Sequence, residues 1–356
     1  MEFASGNKWK AIIPLVMASV WSLICLTEEH LTEKTRTPQV NMELDPHWDD
    51  FKNRYNKTFN RNTEAARRLA WEQNLIRIIQ HNEEAAAGKH NYTLRDNHLS
   101  DMDPNTYAAK MIKLRHSGRR RRLPEETLGT PVHDPEKIPE EFDWREKGFE
   151  TPAWNQEDCG ACYAFAVSST VSGQIFKEAG VLRYLSVQQI VDCSGNVGNL
   201  GCGGGSLRNT LKYIQGTGGL ETYKDYPYKA KQDTCQFKKD KAVVRVISWA
   251  VLPPRDEHAL KVAVWKVGPI AVSLNASPAT FQLYHSGVYD DPECSSDFVN
   301  HAMLLVGYTK DSWILRNWWS DEWGEKGYMY LKRGANRCAI SNYAAYAHID
   351  KYSLKL

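Results

Sequence analysis

The 356-residue chain has almost no charge of one sign to spare: 45 Lys and Arg stand against 43 Asp and Glu, a net charge of +2. Nucleic-acid binding calls for a large basic face, and so small an excess supplies none. Long hydrophobic runs are also missing. The uncharged apolar run from Ala11 to Leu26 falls short of the roughly 20 residues that cross a bilayer, so neither a polytopic membrane protein nor a stable membrane span is expected. No internal repeat is visible, which excludes a fibrous or solenoid chain. His47, His81, His90, His98, His116, His133, His258, His285 and His348 are scattered without metal-ligand spacing, so no metal and no cofactor is expected. Hydrophobic residues at 42% and charged residues at 25% match an average soluble protein. That excludes a wholly disordered chain and, at this length, leaves two or three folding units.

What is present begins with the N-terminus. Lys8 and Lys10 precede the apolar run, and Glu28 and Glu29 end it. A charged start followed by a short apolar core reads as a secretory signal peptide over 1–26, although no clean small-x-small cleavage site is visible. A signal anchor kept in the membrane is the alternative. The cysteines fit the secretory route: Cys25 would leave with the signal, and Cys159, Cys162, Cys193, Cys202, Cys235, Cys294 and Cys338 remain. An odd count allows three bridges and leaves one thiol. In an oxidising compartment that thiol must be protected, paired between chains, or chemically useful. Sequons at Asn56, Asn91 and Asn275 are candidate glycosylation sites, the third weakened by Pro278 behind it.

Residues 45 to 88 read as two helices. Asp45 can cap the first, Pro46 suits its first turn, and Trp48, Phe51 and Tyr55 share a face. The second can start near Thr63 and stop at Gly88. On it Arg67, Trp71, Asn74, Ile78 and Asn82 fall on one stripe, whose polar members need specific partners if buried. Residues 103 to 137, rich in Pro, Arg and Glu, read as a linker, with Arg119–Arg122 as an exposed basic block. A helix from Cys162 to Ala179, closed by Gly180, opens a larger unit, and a glycine-rich loop holds Gly198, Gly201, Gly203, Gly204 and Gly205. Val243–Val251, Ile270–Leu274, Ala302–Tyr308, Ser312–Asn317 and Tyr328–Leu331 read as strands. Helices first and strands later predict an α+β fold with a cleft between the halves.

The chemistry concentrates at Gln156-Glu157-Asp158-Cys159-Gly160-Ala161-Cys162-Tyr163. Cys162 would begin a helix, where unpaired N–H groups and the dipole favour a thiolate. A thiolate can attack a carbonyl carbon, but it needs an imidazole to pair with it and to protonate a leaving amine. His301, flanked by Asn300 and Ala302, is the candidate. Asn317, in Arg316-Asn317-Trp318-Trp319, could orient the ring.

With those residues in hand the chain resembles the papain family of cysteine peptidases, in particular its cathepsin L-like group. The resemblance covers the whole length after the signal peptide. It implies a papain-like two-domain fold: a helical left domain, a β-barrel-like right domain, and an active-site cleft between them. An inhibitory helical propeptide precedes this fold. It implies Cys162 as nucleophile, His301 as its partner, Asn317 as the orienting residue, and Gln156 with the Cys162 N–H as oxyanion donors. Trp319 would shield the Asn–His bond. Gly204 and Gly205 would form the wall that meets a substrate backbone, and Leu207, Ser273, Val299, Asn300, Ala302 and Tyr343 would contribute to substrate binding. The bridges implied are Cys159–Cys202, Cys193–Cys235 and Cys294–Cys338, leaving Cys162 free, as the odd count already allowed.

The resemblance further implies a zymogen with a signal peptide over 1–26, a propeptide and linker over 27–137, and a peptidase over 138–356. The mature start would fall between Leu123 and Ile138, with the arginine block a site for a basic-site convertase. Its partners would be protein or peptide substrates, its own propeptide as an intramolecular inhibitor, and cystatin-like inhibitors. The chain would be a monomer, lysosomal or secreted. Several positions depart from the family pattern. Thr63 stands where the propeptide stripe has Glu, with Glu64 on a different side. Arg95 and Leu99 replace a Gly and an aromatic. Trp318 stands where Ser is usual, either filling a gap or crowding the cleft, and Tyr343 should shorten the pocket for the second residue before the scissile bond. No histidine-bearing occluding insertion or exclusion domain is present, so endopeptidase activity is the expectation. A weakly catalytic or non-catalytic binding protein on the same fold is the alternative.

Overall fold

The computed structural model describes residues 40–115, the backbone of 126–128, and residues 138–355. The apolar run at 11–26 and the Arg119–Arg122 block lie outside them. The chain divides into two compact units, Met1–Asp103 and Pro104–Leu356.

In the first unit, α1 spans Asp45–Arg54 and α2 Arg61–Ala86. Asp45 is already helical rather than the cap, and Pro46 occupies the first turn, where its missing N–H is no loss. Helix α2 begins two residues before Thr63 because the Asn60 side chain accepts the N–H groups of Asn62 and Thr63 at 3.1 and 3.0 Å. Leu44, Trp48, Phe51, Trp71, Leu75 and Ile79 form its core. Each polar member of the stripe finds a partner. Arg67 meets the Asp101 carboxylate at 3.2 Å, Asn74 donates to the Ser100 carbonyl at 2.9 Å, and Asn82 exchanges two bonds with the Leu94 backbone on strand β1, Tyr92–Leu94. Glu64 accepts from the Trp48 indole at 3.2 Å and from Lys52 at 2.8 Å, tying α2 to α1. A buried i,i+4 pair absent from the stripe, Arg68–Glu72 at 2.6 Å, adds a second polar anchor.

The second unit opens with α3, Pro104–Met111, and strands β2, Glu126–Leu128, and β3, Phe142–Asp143. The reading of 103–137 as plain linker therefore fails at its start. Tyr107 and Met111, four residues apart, are both buried and make 104–111 a packed helix. Then come α4, Cys162–Ala179; α5, Val187–Cys193; α6, Leu207–Thr217; β4, Val246–Val251; α7, Glu257–Lys266; β5, Ile270–Leu274; α8, Ala279–Gln282; β6, Tyr284–Tyr289; β7, His301–Tyr308; β8, Ser312–Arg316; β9, Tyr328–Lys332; and β10, Ala344–Ile349. Helix α4 is buried from Cys162 through Ile175 and ends on Gly180 in the left-handed region, φ 67°.

The strands run in the order β6-β9-β8-β7-β5-β10-β4-β2, with β3 on β7. This is an open sheet, so the barrel-like closure is not formed among the described residues. Helix α4 packs on β5, β7 and β10 and α7 on β7, so the sheet buries its surface without curling onto itself. Strands β6 and β10 and helix α7 were not legible in the sequence. The bridges Cys159–Cys202, Cys193–Cys235 and Cys294–Cys338 are closed. No helix among the described residues is long and apolar enough to cross a membrane.

Acid should loosen the first unit. Both ring nitrogens of His98 are shut off from water and lack a hydrogen bond, though part of the side chain stays at the surface. Burial, then the charge of Lys57, pushes His98 down to about 3 from 6.5. The stability this group contributes is present above 6.5 and lost as pH falls toward 3. Asp96, raised by burial to about 6 from 3.8, acts oppositely: its contribution is present below 3.8 and lost as pH rises through about 6. The two act in opposite directions on acidification, and a chain that lacks the His98 ring separates them. Hydrogen exchange on the full chain at pH 7 and 4.5 should show protection of 95–101 lost in acid, and kept in His98→Leu. Equal loss in both chains would exclude His98.

Candidate active site

Cys162, His301 and Asn317 each sit at the end of a regular element. Cys162 is the first residue of α4, and its thiol is buried and unbridged. His301 begins β7, where it pairs with Leu274 of β5. Asn317 follows β8 and donates its N–H to the Gly327 carbonyl at 2.9 Å. The His301 ring reaches Asn317 across the end of the sheet, Nε2 to Oδ1 at 2.8 Å. The amide orientation is set independently, because the Trp318 backbone N–H also donates to that oxygen at 2.8 Å. Two donors on Oδ1 place the imidazole proton on Nε2. Nδ1, buried and without a hydrogen bond, is then the nitrogen that can take a proton. Trp319 covers this bond, its ring 4.8 Å from the imidazole, inside an aromatic group with Phe281, Trp323 and Tyr107.

Gln156 precedes α4 on a loop held by its own N–H to the Trp318 carbonyl and by the Tyr228 hydroxyl on its carbonyl, both at 2.8 Å. Its side-chain amide donates to Cys159 and to the carbonyl of Met111, at 3.2 and 3.1 Å. Met111 ends α3, whose last carbonyls have no partner within the helix. The donor expected to receive an oxyanion is thus occupied by the chain itself. The next residues continue along the glycine wall. Leu114 donates its N–H to the Asn300 carbonyl at 2.9 Å and Arg115 to the Gly205 carbonyl at 2.8 Å. Lys113 lies so close to Gly204 that a Cβ there would stand 2.0 Å from its carbonyl oxygen. Gly204 also has φ +102°, so only glycine suits the position.

Leu207, Ser273, Val299 and Tyr343 line one pocket with Leu114, Arg115, Ser206 and Arg208. Ser273 is fixed there by two bonds to the Tyr343 carbonyl, from its N–H and its hydroxyl, both 2.9 Å. Ala302 does not line the pocket; it lies behind His301, its carbonyl taking the Trp318 indole at 2.8 Å. Trp318 is wholly buried and fills the space between Phe165 and the Ala302 carbonyl. Asn56 and Asn91 are exposed, whereas Asn275 is buried and bonded to Ser277 at 3.0 Å, leaving no room for a glycan in the folded chain. Among the described residues no group of three or more His, Cys, Asp or Glu could hold a metal.

Electrostatics departs from the expectation of a ready thiolate. Burial pushes Cys162 up to about 12, outweighing the N–H groups of Ala302, Tyr163 and Cys162, which pull the other way. Burial likewise pushes His301 down to about 4, against the Asn317 bond. Burial thus favours the neutral thiol and the neutral imidazole while the cleft is covered. Residues 111–115 were the unforeseen part of this site, because their composition hid them in the linker. Tyr228 was also missed, because only the fold brings its hydroxyl to the Gln156 carbonyl.

Comparison with known proteins gives two family matches. Residues 138–348 match the papain family cysteine protease model, and residues 48–107 match the cathepsin propeptide inhibitor domain. The chain is 40% identical to cathepsin K of Mus musculus, over 85% of this chain and 93% of that one. It is 35% identical to human cathepsin L2, over 88% and 95% respectively. Among solved structures, the digestive procathepsin L 3 of Tenebrio molitor superposes with a TM-score of 0.79 at 29% identity, covering 86% of this chain and 99% of that one. The proform of the ragweed pollen cysteine protease Amb a 11 gives 0.77 at 28%, covering 87% and 96%.

Replacing Gln156 with Ala should lower kcat of the processed enzyme about 10²–10³-fold, while Cys162 still reacts with iodoacetamide at near the parent rate. Steady-state kinetics with a peptide amide checks this. An unchanged kcat would remove Gln156 from the site.

Proposed function

The chain belongs to the papain family of cysteine proteases and is a cysteine endopeptidase made with an inhibitory cathepsin propeptide; on that footing we propose how its own residues divide the work. Cys162 Sγ, once ionised by proton transfer to His301 Nδ1, attacks the scissile carbonyl carbon. The oxyanion is received by the Gln156 amide and the Cys162 N–H. As the tetrahedral adduct collapses, the C–N bond breaks and the imidazolium gives its proton to the leaving amine, so an amine departs and a thioester remains. His301 then takes a proton from water, whose oxygen attacks the thioester, and the acid product and free thiol return. Asn317 holds the ring with Nδ1 toward the sulfur throughout. The observation carrying this assignment is the 2.8 Å bond from His301 Nε2 to an Asn317 oxygen already oriented by a second donor. No observation favours the non-catalytic alternative.

Residues 104–115 act as the inhibitor, placing Met111's carbonyl on the oxyanion donor and Leu114 in the side-chain pocket. A signal peptide over 1–26 directs the chain into the secretory pathway, to a lysosomal or secreted destination. A propeptide over 27–137 is removed, opening a mature enzyme between Leu123 and Ile138, with cleavage at Arg119–Arg122 by a basic-site convertase. Asn56 and Asn91 carry the glycans. The enzyme works as a monomer on protein or peptide substrates, without a cofactor, and cystatin-like proteins inhibit it.

Purified zymogen, acidified and followed by mass, tests the reading. The processed form should bind a thiol-directed epoxide at Cys162 and cleave fluorogenic peptides. Those with Val or Leu two residues before the scissile bond should be cleaved faster than those with Phe, since Tyr343 shares the pocket. Processing without labelling or cleavage would refute the catalytic roles, and a profile dominated by Phe would refute that of Tyr343.

A further inference from the structure

Strands β7 and β8 are paired as far as Leu304 with Arg316. Two residues further along each strand, in the same register, lie Ala302 and Trp318. Here the carbonyl of Ala302 is met by a side chain: the Trp318 indole N–H donates to it at 2.8 Å. Ala302 adjoins His301, so this bond holds the end of the strand from which the imidazole projects. The main chain of Trp318 meets the other site residues. Its N–H donates to Asn317 Oδ1, and its carbonyl accepts the Gln156 N–H, each at 2.8 Å. Its ring stacks on Phe165, centroids 5.3 Å apart and planes 20° from parallel. Phe165 lies one turn along α4 from Cys162, and Tyr228, which holds the Gln156 carbonyl, packs edge-on against it at 4.9 Å.

We infer that Trp318 is a positioning residue, whose indole N–H fixes the Ala302 carbonyl and thereby the His301 ring opposite Cys162. A serine at this position could not reach Phe165 and would leave the first two residues of β7, His301 and Ala302, paired with β5 alone. The indole N–H would otherwise be buried without a partner, so the bond is enforced in both directions. The main-chain bonds of Trp318 do not depend on its side chain. The side-chain contribution is therefore separable: the N–H acts on His301, and the stacked ring acts on the packing of α4.

This inference rests on the catalytic reading above, and its test separates the two. Processed Trp318→Phe keeps a ring against Phe165 and loses the N–H. Its kcat should fall about tenfold, the value of one buried hydrogen bond, with KM within twofold. The pH range over which iodoacetamide alkylates Cys162 rapidly should narrow, because a loosely held imidazole stabilises the thiolate less. Phe165→Leu keeps the N–H and weakens the stack, so it should lower Tm and leave that pH range unchanged. A Trp318→Phe enzyme with the parent kcat and pH range would overturn the inference. A lower Tm and kcat with an unchanged pH range would also overturn it, by showing structural support alone. Failure of the parent enzyme to alkylate at Cys162 would instead refute the catalytic reading.

Discussion

Burial sets the charge of Cys162 and His301 in the covered chain. A thiol and an imidazole become a thiolate and an imidazolium only where the two charges are solvated or closely paired. Here the cleft is filled by the chain's own residues 111–115, burial holds the sulfur near 12 and the ring near 4, and the donors at the start of α4 do not compensate. The helix N-terminus still matters: its N–H groups act on the sulfur even when buried, and they are the part of the field that remains when the cover is removed.

The cover occupies groups that the proposed reading assigns to a substrate. The Gln156 amide holds the Met111 carbonyl, and the Asn300 and Gly205 carbonyls take the N–H groups of Leu114 and Arg115. Nothing at these contacts has to be built for inhibition alone. Gly204 shows the constraint most sharply, since any side chain there would collide with the Lys113 carbonyl. Around the reacting groups lies a rigid aromatic frame in which Trp319 shields the His–Asn bond and Trp318 joins β7, α4 and the Gln156 loop.

Much of this was legible in the sequence. Helix α4 was predicted from Cys162 to Ala179 because an apolar run begins at the cysteine and ends at a glycine able to take positive φ. The polar stripe on α2 announced that its Arg and Asn residues needed partners, and Asp101, Ser100 and Leu94 supply them. The residues of the site were legible as residue types at particular places, while their protonation was not. A helix start predicts a thiolate, but burial depends on which distant segment lies over it. That segment was hidden because Pro, Arg and Glu dominate 103–137, and two buried residues four apart, Tyr107 and Met111, are too few to stand out. Trp318 read as an oddity of size alone, since only the fold reveals that its indole continues a ladder the backbone has ended.

The claim that the thiol is neutral in the covered chain can be measured by the ultraviolet absorbance of the thiolate. The difference between the parent and Cys162→Ser should be taken through a pH titration from 5 to 9, before and after removal of the propeptide. The full chain should show no thiolate signal at Cys162 across that range, and the processed enzyme should show one at neutral pH. A thiolate already present at neutral pH in the unprocessed chain would contradict the account.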